Sequence, residues 1–239
     1  MEISVVMPVY NEEENIEIAV EKVNAVLKKG FNEYEIILVN DGSKDNSKEN
    51  IEDAVRKNSS VRGIHFKKNM GQTAATFEGI RSAKGKLIVT MDSDMQTDPE
   101  DIYILLNYIN QYDFINGKRA TREDGKIRKI SSLVGNGARN FITGDNIQDT
   151  GCPLKLFKKE CSESFFMING MHRFMPTLAK IAGYSVIEVP VRHYDRMYGK
   201  SKYGVMNRLL KGLKDAFGVR WIKSRYLKMG DIVIKKEVK

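Results

Sequence analysis

Residues 86–96 read KLIVTMDSDMQ, an apolar, β-branched run that changes at its end into two aspartates and a glutamine. A short run of this kind, closed by polar residues, predicts a buried strand that leads into a loop. The same pattern occurs twice nearer the N-terminus, as ISVVMPVYNE at residues 3–12 and as EIILVNDGS at residues 35–43. The segments between such runs show the apolar periodicity of helices.

This alternation predicts an α/β fold, with a Rossmann-like, mostly parallel sheet that is covered by helices on both faces. Strands are expected at Ile3–Pro8, Glu35–Asn40, Arg62–Phe66, Lys86–Asp92 and Asp113–Gly117. Helices are expected over residues 16–27 and Thr73–Ala83, and Pro99 is placed in a first helical turn.

The second half of the chain continues the pattern less regularly. The expected elements are a helix over Lys126–Thr143, a helix near Pro176–Ala182, and strands at Leu154–Lys158 and Tyr184–His193. After Tyr203, apolar residues recur at helical spacing at Met206, Leu210, Leu213, Phe217 and Trp221. We therefore expect one globular domain at residues 1–202, followed by a basic amphipathic segment at residues 203–239.

Polar clusters follow three of the predicted strands. They are Tyr10-Asn11-Glu12, Asn40-Asp41-Gly42-Ser43 and Asp92-Ser93-Asp94-Met95-Gln96. In open sheets of this kind, ligands bind beyond the carboxyl ends of the strands. The sequence therefore predicts that these clusters converge on one cleft.

Asp92 and Asp94 are the first candidates for a metal site. If the chain turns after its strand, both carboxylates reach one region, and Gln96 adds a neutral oxygen. Hard divalent cations such as Mg²⁺ prefer these oxygens together with phosphate and water. The alternative is that Asp-Ser-Asp only caps the helix after Pro99.

Several other kinds of site are not indicated. The chain lacks the glycine-rich loop of Walker-type nucleotide hydrolases, and Gly135-Asn136-Gly137 lacks the third glycine of a dinucleotide site. The spacing of His65, His172 and His193 suggests neither a metal cluster nor a catalytic triad. Two cysteines are too few for a disulfide framework, so a reducing cytosol is expected.

The net charge of +8 is concentrated at the C-terminus, where residues 196–239 carry 13 Lys/Arg against 3 Asp/Glu. A basic block at one end is typical of an arm for an anionic surface, whether lipid, phosphorylated substrate or nucleic acid; the alternative is an ordinary solvated face. No apolar window is long enough to span a bilayer, and no secretion signal is recognisable. We expect a chain that does not itself cross the membrane.

The motifs carry a resemblance to a known family. VVMPVYNE at residues 5–12, VNDGS at 39–43, NMGQ at 69–72 and DSDMQ at 92–96 resemble family 2 glycosyltransferases of the GT-A fold. Gly151-Cys152 and RMYGKSKYG at residues 196–204 are similar to the branch that glycosylates dolichyl or undecaprenyl phosphate. The resemblance runs from about Ile3 to Leu227.

The resemblance implies roles for the clustered residues. Those that would hold the base and ribose are Pro8, Tyr10, Glu12, Val39 and Asp41, with Asp92 and Ser93 lining the same nucleotide site. Asp94 and Gln96 would ligate Mg²⁺ or Mn²⁺, with Asp92 nearby, and the metal would neutralise the leaving diphosphate. The alternative for Asp41 is a turn residue before Gly42.

Basic residues are expected around the diphosphate and the acceptor phosphate. The candidates are Arg119, Arg128, Arg196 and Lys202, with Ser201 beside the last of them. Arg119 and Arg196 are the favoured pair. Arg128 is also compatible with being one of several solvated charges.

The acceptor determines whether a general base is needed. A lipid phosphate is already an anion at neutral pH and attacks without a strong base. A sugar hydroxyl acceptor would need a carboxylate, for which Asp149 is the candidate, although Asp149 could instead cap a turn.

The function expected from the resemblance is inverting transfer of a sugar from a UDP- or GDP-sugar to a polyprenyl phosphate. The tail helix would then lie peripherally at the cytoplasmic face of the membrane or meet a separate membrane protein. Alternatively it packs Leu210, Leu213 and Phe217 against the core or a second subunit, which would give a homo-oligomer. One competing function is transfer from the same donor to a saccharide, a protein or a small molecule. Another is binding of a sugar nucleotide without turnover. Nucleic acid is not expected as a partner, because the tail has no recognised reading motif.

Overall fold

Seven strands form a single sheet in the order β3-β2-β1-β4-β6-β5-β7. The computed structural model describes residues 1–119, 137, 139–194 and 205–227, except for the side chains of 205–211. The strands are β1 (Ile3–Val9), β2 (Tyr34–Asn40), β3 (Val61–His65), β4 (Leu87–Thr90), β5 (Phe114–Arg119), β6 (Lys155–Lys158) and β7 (Val186–Val191). β6 runs antiparallel to β4 and β5, and the other neighbouring pairs are parallel. The predicted mostly parallel sheet is confirmed.

Helices connect the strands. They are α1 (Ile16–Gly30), α2 (Ser47–Lys57), α3 (Gln72–Ser82), α4 (Asp101–Leu106), α5 (Met175–Ala182) and α6 (Val205–Arg225). Two 3₁₀ turns occur at Lys159–Ser164 and Met171–Phe174, and residues 139–143 are also helical. No helix in these described ranges is both long and apolar enough to cross a bilayer.

The two faces of the sheet carry separate hydrophobic cores, because successive side chains of a strand point to opposite sides. Val5 and Met7 of β1 pack in a cluster with α1, α2 and α4. Val6 packs in the other cluster, with α3, α5 and α6. All seven residues of β2 are buried, as expected for a strand covered on both sides. Coverage by helices on both faces is therefore confirmed.

Several element boundaries differ from the predictions. β4 ends at Thr90 rather than Asp92, and although the Met91 amide still donates to Val6, the chain then leaves the sheet. α4 begins only at Asp101. The chain around Pro99 makes a turn before it, in which the amides of Asp101 and Ile102 donate hydrogen bonds to carbonyls three residues earlier. Of the helix predicted over Lys126–Thr143, only residues 137 and 139–143 lie within the described residues, and they are helical.

α6 packs on the domain through a face that the periodicity did not identify. Ala216 and Val219 are fully buried in the core beneath the helix, whereas Phe217 is 61% exposed. The alternative in which Phe217 packs against the core is therefore wrong. Residues four apart lie on the same side of a helix, so Phe217 and Trp221 both face outward.

Candidate active site

A cavity of about 1090 Å³ opens at the carboxyl ends of β1, β2 and β4. Tyr10 and Glu12 line it from the loop after β1, Asp41 from the end of β2, and Asp92 and Asp94 from the loop after β4. The predicted convergence of the three polar clusters is confirmed.

The loops after β1 and β2 are tied together beside this cavity. The Asn11 amide donates to Ser43 Oγ at 3.0 Å, and the Lys44 amide donates to Asn11 Oδ1 at 2.8 Å. Asn11 has a φ of 50°, a left-handed conformation that asparagine tolerates better than most residues. The first two polar clusters therefore form one rigid wall.

Asp41 holds a third loop over the same wall. Its carboxylate accepts hydrogen bonds from the amides of Met70 (2.6 Å) and Gly71 (2.9 Å) and from Asn69 Nδ2 (2.9 Å). Burial raises the pKa of Asp41, although the hydrogen bonds from the Met70 and Gly71 backbone amides act in the opposite direction. Since a carboxylate has about four acceptor positions, the 69–71 loop uses most of them.

Gly42 makes this approach sterically feasible. It has a φ of +65°, and a Cβ at this position would lie 2.5 Å from the backbone carbon of Lys68. Only glycine fits both conditions without strain. The turn after Asp41 therefore brings the β3–α3 loop close to the carboxylate.

The loop after β4 brings Asp94 and Gln96 into the cavity. Between them Met95 has a φ of 57°, an unfavourable conformation for its side chain that turns the backbone sharply. Asp94 is only 4% exposed, and its Oδ1 accepts from the Gln96 amide at 3.2 Å. Gln96 Nε2 donates to the Tyr194 carbonyl at 3.4 Å, which leaves the side-chain oxygen as its acceptor group.

The donor set at this loop suits a hard divalent cation, with two carboxylates and one amide oxygen lining the same space. Within the described residues, no group of three or more His, Cys, Asp or Glu side chains could hold a metal by itself. The arrangement therefore suits an ion that takes its remaining ligands from a phosphate and water. Gln72 Nε2 also reaches this loop and donates to Asp92 Oδ1 at 3.0 Å.

Three further predicted nucleotide residues have distinct positions. Pro8 and Ser93 line the cavity, and Ser93 Oγ donates to the Pro8 carbonyl at 3.2 Å. Val39 does not line it: the side chain is fully buried, near α3, where a Cβ on Gly79 would contact it at 3.1 Å. The structure gives the Val39 side chain no access to a ligand.

Arg119 lines the cavity and forms a two-pronged ion pair with Asp149 behind it. Its Nε and Nη2 donate to the two carboxylate oxygens at 2.8 and 2.7 Å, and its amide donates to Oδ2 at 3.2 Å. The side chains are 14% and 16% exposed. Burial acts to lower the pKa of Arg119, but the bonds and charge of Asp149 outweigh it and the pKa is raised. Asp149 is therefore placed to orient the guanidinium.

The remaining predicted cations and their neighbour, Arg128, Arg196, Ser201 and Lys202, lie outside the described residues. Their assignment to the acceptor phosphate stays a prediction.

The structure adds cavity residues that sequence reasoning missed. Lys155 on β6 is 2% exposed, donates to the carbonyls of Thr150 and Cys152, and has a pKa lowered by burial. A lysine inside a predicted strand was a signal that could have been noticed.

The α6 helix supplies two more cavity residues. Lys214 and Asp215 line the wall, and Asp215 pairs with Arg173 at 3.0 Å. The Arg173–Asp215 pair joins residues 42 positions apart, so no local pattern indicated it.

A scan against family models matches residues 4–166 to Glycosyl transferase family 2. The chain is 36% identical over 206 residues to an undecaprenyl-phosphate 4-deoxy-4-formamido-L-arabinose transferase from Photorhabdus laumondii, covering 85% of this chain and 63% of the relative. It is 37% identical over 225 residues to a dodecaprenyl-phosphate galacturonate synthase from Rhizobium johnstonii, covering 92% and 66%. The chain thus spans just under two thirds of the length of these relatives.

Solved structures with the same fold have much lower identity. Glucosyl-3-phosphoglycerate synthase from Mycobacterium tuberculosis, in complex with Mn²⁺, UDP-glucose and phosphoglyceric acid, superposes with a TM-score of 0.67 at 17% identity, covering 91% of this chain and 80% of that one. A mannosyltransferase from Pyrobaculum calidifontis, in complex with GDP-Man and Mn²⁺, gives 0.65 at 14% identity, with 94% and 70% covered. These likenesses support the GT-A fold. The extent of the family match, together with the sequence identity to the curated relatives, shows that the chain belongs to glycosyl transferase family 2.

Proposed function

We propose that this chain transfers a sugar from a nucleoside diphosphate sugar to the phosphate of a polyprenyl phosphate. The observation that carries the proposal is the cavity in which Asp41, the Asp92–Gln96 loop and Arg119 face the same space. The names of the relatives, which are polyprenyl-phosphate sugar transferases, support this acceptor.

The donor would lie along the wall formed by the first three strands. Tyr10, Glu12 and Asp41 would contact the nucleoside and the loop after β4 would contact the diphosphate, since all of them line the cavity. Asp94, Gln96 and Asp92 would hold Mg²⁺ or Mn²⁺, which supplies positive charge to the departing diphosphate when bound. Asp41, which already holds the 69–71 loop, would fix the shape of the nucleoside end.

The acceptor would enter on the Arg119 side. An oxygen of the lipid phosphate forms the new bond to the anomeric carbon, while the bond from that carbon to the diphosphate breaks and its electron pair leaves with the diphosphate. The configuration at the anomeric carbon is inverted. Arg119 would orient the attacking phosphate, since its Nη1 makes no hydrogen bond within the described residues.

The position of Asp149 favours a phosphate over a hydroxyl acceptor. A hydroxyl acceptor needs a carboxylate to take its proton. Both oxygens of Asp149 are engaged by the Arg119 guanidinium, and the Asp149 amide is held by Glu188 at 2.8 Å. The Arg119 guanidinium occupies the positions at which these oxygens would take a proton, whereas a lipid phosphate needs no base.

Thermal stabilisation by UDP and by GDP, each with and without Mn²⁺, tests the donor site. A ligand that binds only the folded state raises its stability, by about 2.7 kcal/mol at a hundredfold excess over its Kd. We expect a metal-dependent rise in Tm with one nucleotide, and its loss in Asp94→Ala. If neither nucleotide raises the Tm of the wild type, the proposed donor site is wrong.

We also propose that α6 attaches the chain to the cytoplasmic face of an anionic membrane. Its outward side exposes Phe217 (61%) and Trp221 (65%), with the exposed cation Arg220 next to Trp221. Phe141, 86% exposed, lies next to Ile142, whose carbonyl accepts from Arg220 at 3.1 Å. Exposed aromatic and basic side chains on one helix face are typical of an interfacial helix.

Replacing Phe217 and Trp221 by serine should weaken vesicle binding by at least about tenfold, because each aromatic ring loses apolar area that the bilayer would bury. Co-sedimentation with phosphatidylcholine vesicles, with and without phosphatidylglycerol, measures this. Ile104→Ser, at another exposed apolar position, is the matched control and should bind as the wild type. Equal binding of the double variant and the wild type would contradict the proposal. A wild type that dimerises and a double variant that does not would indicate that this helix face contacts a second subunit instead.

A further inference from the structure

His172 is a cavity residue that the proposed mechanism does not use. It lies in the 3₁₀ turn Met171–Phe174 and lines the cavity. Its Nδ1 is 2.7 Å from Thr73 Oγ1, on the first turn of α3. The two residues are 99 positions apart in the chain, so their contact depends on the tertiary fold.

Thr73 is the hydrogen-bond partner of this imidazole at Nδ1. The Gly170 amide donates to Thr73 Oγ1 at 2.9 Å, so the threonine oxygen acts as an acceptor there. The Thr73 hydroxyl hydrogen is then available for His172 Nδ1, and its donation satisfies both groups when Nδ1 is unprotonated. In that arrangement the neutral ring carries its proton on Nε2.

The surroundings keep the ring neutral. Burial lowers the pKa of His172 to about 3, and the positive charges of Arg173 and Lys155 act in the same direction. Within the described residues, Nε2 has no hydrogen-bond partner, although the ring lines the cavity. With its proton on Nε2, His172 presents one N–H group to whatever occupies this part of the cavity.

His172 lines the same cavity as Asp92 and Asp94, where the proposed donor would have its diphosphate. Gln72, which precedes Thr73 in the chain, donates to Asp92 Oδ1 at 3.0 Å. Asp92, Gln72 and His172 line the cavity, and Thr73 connects Gln72 to His172 from behind. A donor with its diphosphate at Asp92 and Asp94 would have its sugar in reach of this side of the cavity.

We propose that His172 donates a hydrogen bond from Nε2 to an oxygen of the transferred sugar, so that it recognises the sugar rather than the nucleotide. The inference rests on the proposed function, because it requires a nucleotide sugar in the cavity. Thr73 is the positioning residue that holds the imidazole in this tautomer.

The test compares the dissociation constants of nucleoside diphosphate and nucleotide sugar by calorimetry with Mn²⁺. The probes are UDP with UDP-glucose and GDP with GDP-mannose. In His172→Phe we expect unchanged affinity for the diphosphate alone and about tenfold weaker binding of the nucleotide sugar, as for one lost hydrogen bond. His172→Gln, which retains an N–H donor, should recover most of the difference.

Thr73 gives an independent pair of variants. Thr73→Val should reproduce the selective loss for the nucleotide sugar, and Thr73→Ser, which keeps the hydroxyl, should not. Equal weakening of both ligands in His172→Phe would mean that the residue only supports the cavity wall, and unchanged binding of both would mean that it makes no contact. Either outcome overturns the inference while leaving the donor site intact, whereas a wild type that binds no nucleotide would overturn the proposed function and this inference together.

Discussion

Asp94→Asn is expected to lower the turnover number by about a thousandfold or more, with the fold retained. Asparagine has the same shape but no charge, and a metal that stabilises a leaving diphosphate contributes several kcal/mol to the transition state. The effect should be large because Asp94 is 4% exposed, which leaves little water to replace it as a ligand. Transfer of label from a nucleotide sugar to undecaprenyl phosphate, measured after extraction of the lipid, gives the rate.

Asp98→Asn is the matched control for this experiment. Asp98 lies four residues further along the chain, does not line the cavity, and pairs with Arg192 at 3.0 Å. We expect its turnover to remain within about threefold of the wild type, because the pair lies outside the cavity and its side chains are 23% and 49% exposed. Wild-type rates in Asp94→Asn, across a range of Mn²⁺ concentrations, would contradict the assigned metal site.

Asp149→Asn is expected to reduce both stability and activity. It leaves the Arg119 guanidinium, 14% exposed, without its carboxylate, and breaking a buried pair of this kind costs about 3 kcal/mol. An Arg119 side chain that is no longer oriented should raise the KM for the lipid phosphate more than it changes kcat. Urea unfolding measures the first effect, and initial rates at varied acceptor concentration measure the second.

An exposed ion pair provides the comparison for stability. Glu100→Gln breaks the pair with Lys29, whose side chains are 43% and 60% exposed, and should change the free energy of unfolding by about 1 kcal/mol at most. If Asp149 were instead a general base, Asp149→Asn would abolish kcat while the acceptor KM stayed as in the wild type. That result would favour a hydroxyl acceptor.

The sheet was predictable because each strand can be recognised from its own residues. Apolar, β-branched runs need only their own residues to be recognised, and parallel strands bring their carboxyl ends to one edge. The cavity residues Tyr10, Asp41, Asp92 and Asp94 could therefore be assigned together from sequence. Strand ends were less certain, as β4 shows, because a hydrogen bond to a neighbouring strand decides where pairing stops.

Other features depend on contacts between distant residues. The pairing of Arg119 with Asp149, 30 positions away, changes a candidate base into a residue that orients a cation. The spacing of His172 indicated neither a metal cluster nor a catalytic triad and gave it no specific role, whereas the structure shows it lining the cavity in contact with Thr73. The periodicity of α6 correctly indicated a helix, but it did not reveal that Ala216 and Val219 face the core while Phe217 and Trp221 face outward.

By itself, the sequence determined the α/β sheet, the order of its strand-end motifs and the carboxylates that these motifs carry, since each depends on short-range pattern. Only the tertiary structure decided which carboxylate is held by which partner, which residue the imidazole of His172 contacts and which side of α6 is buried. The physical reason is that these properties follow from hydrogen-bond geometry and desolvation between segments far apart in the chain, and no local periodicity encodes either.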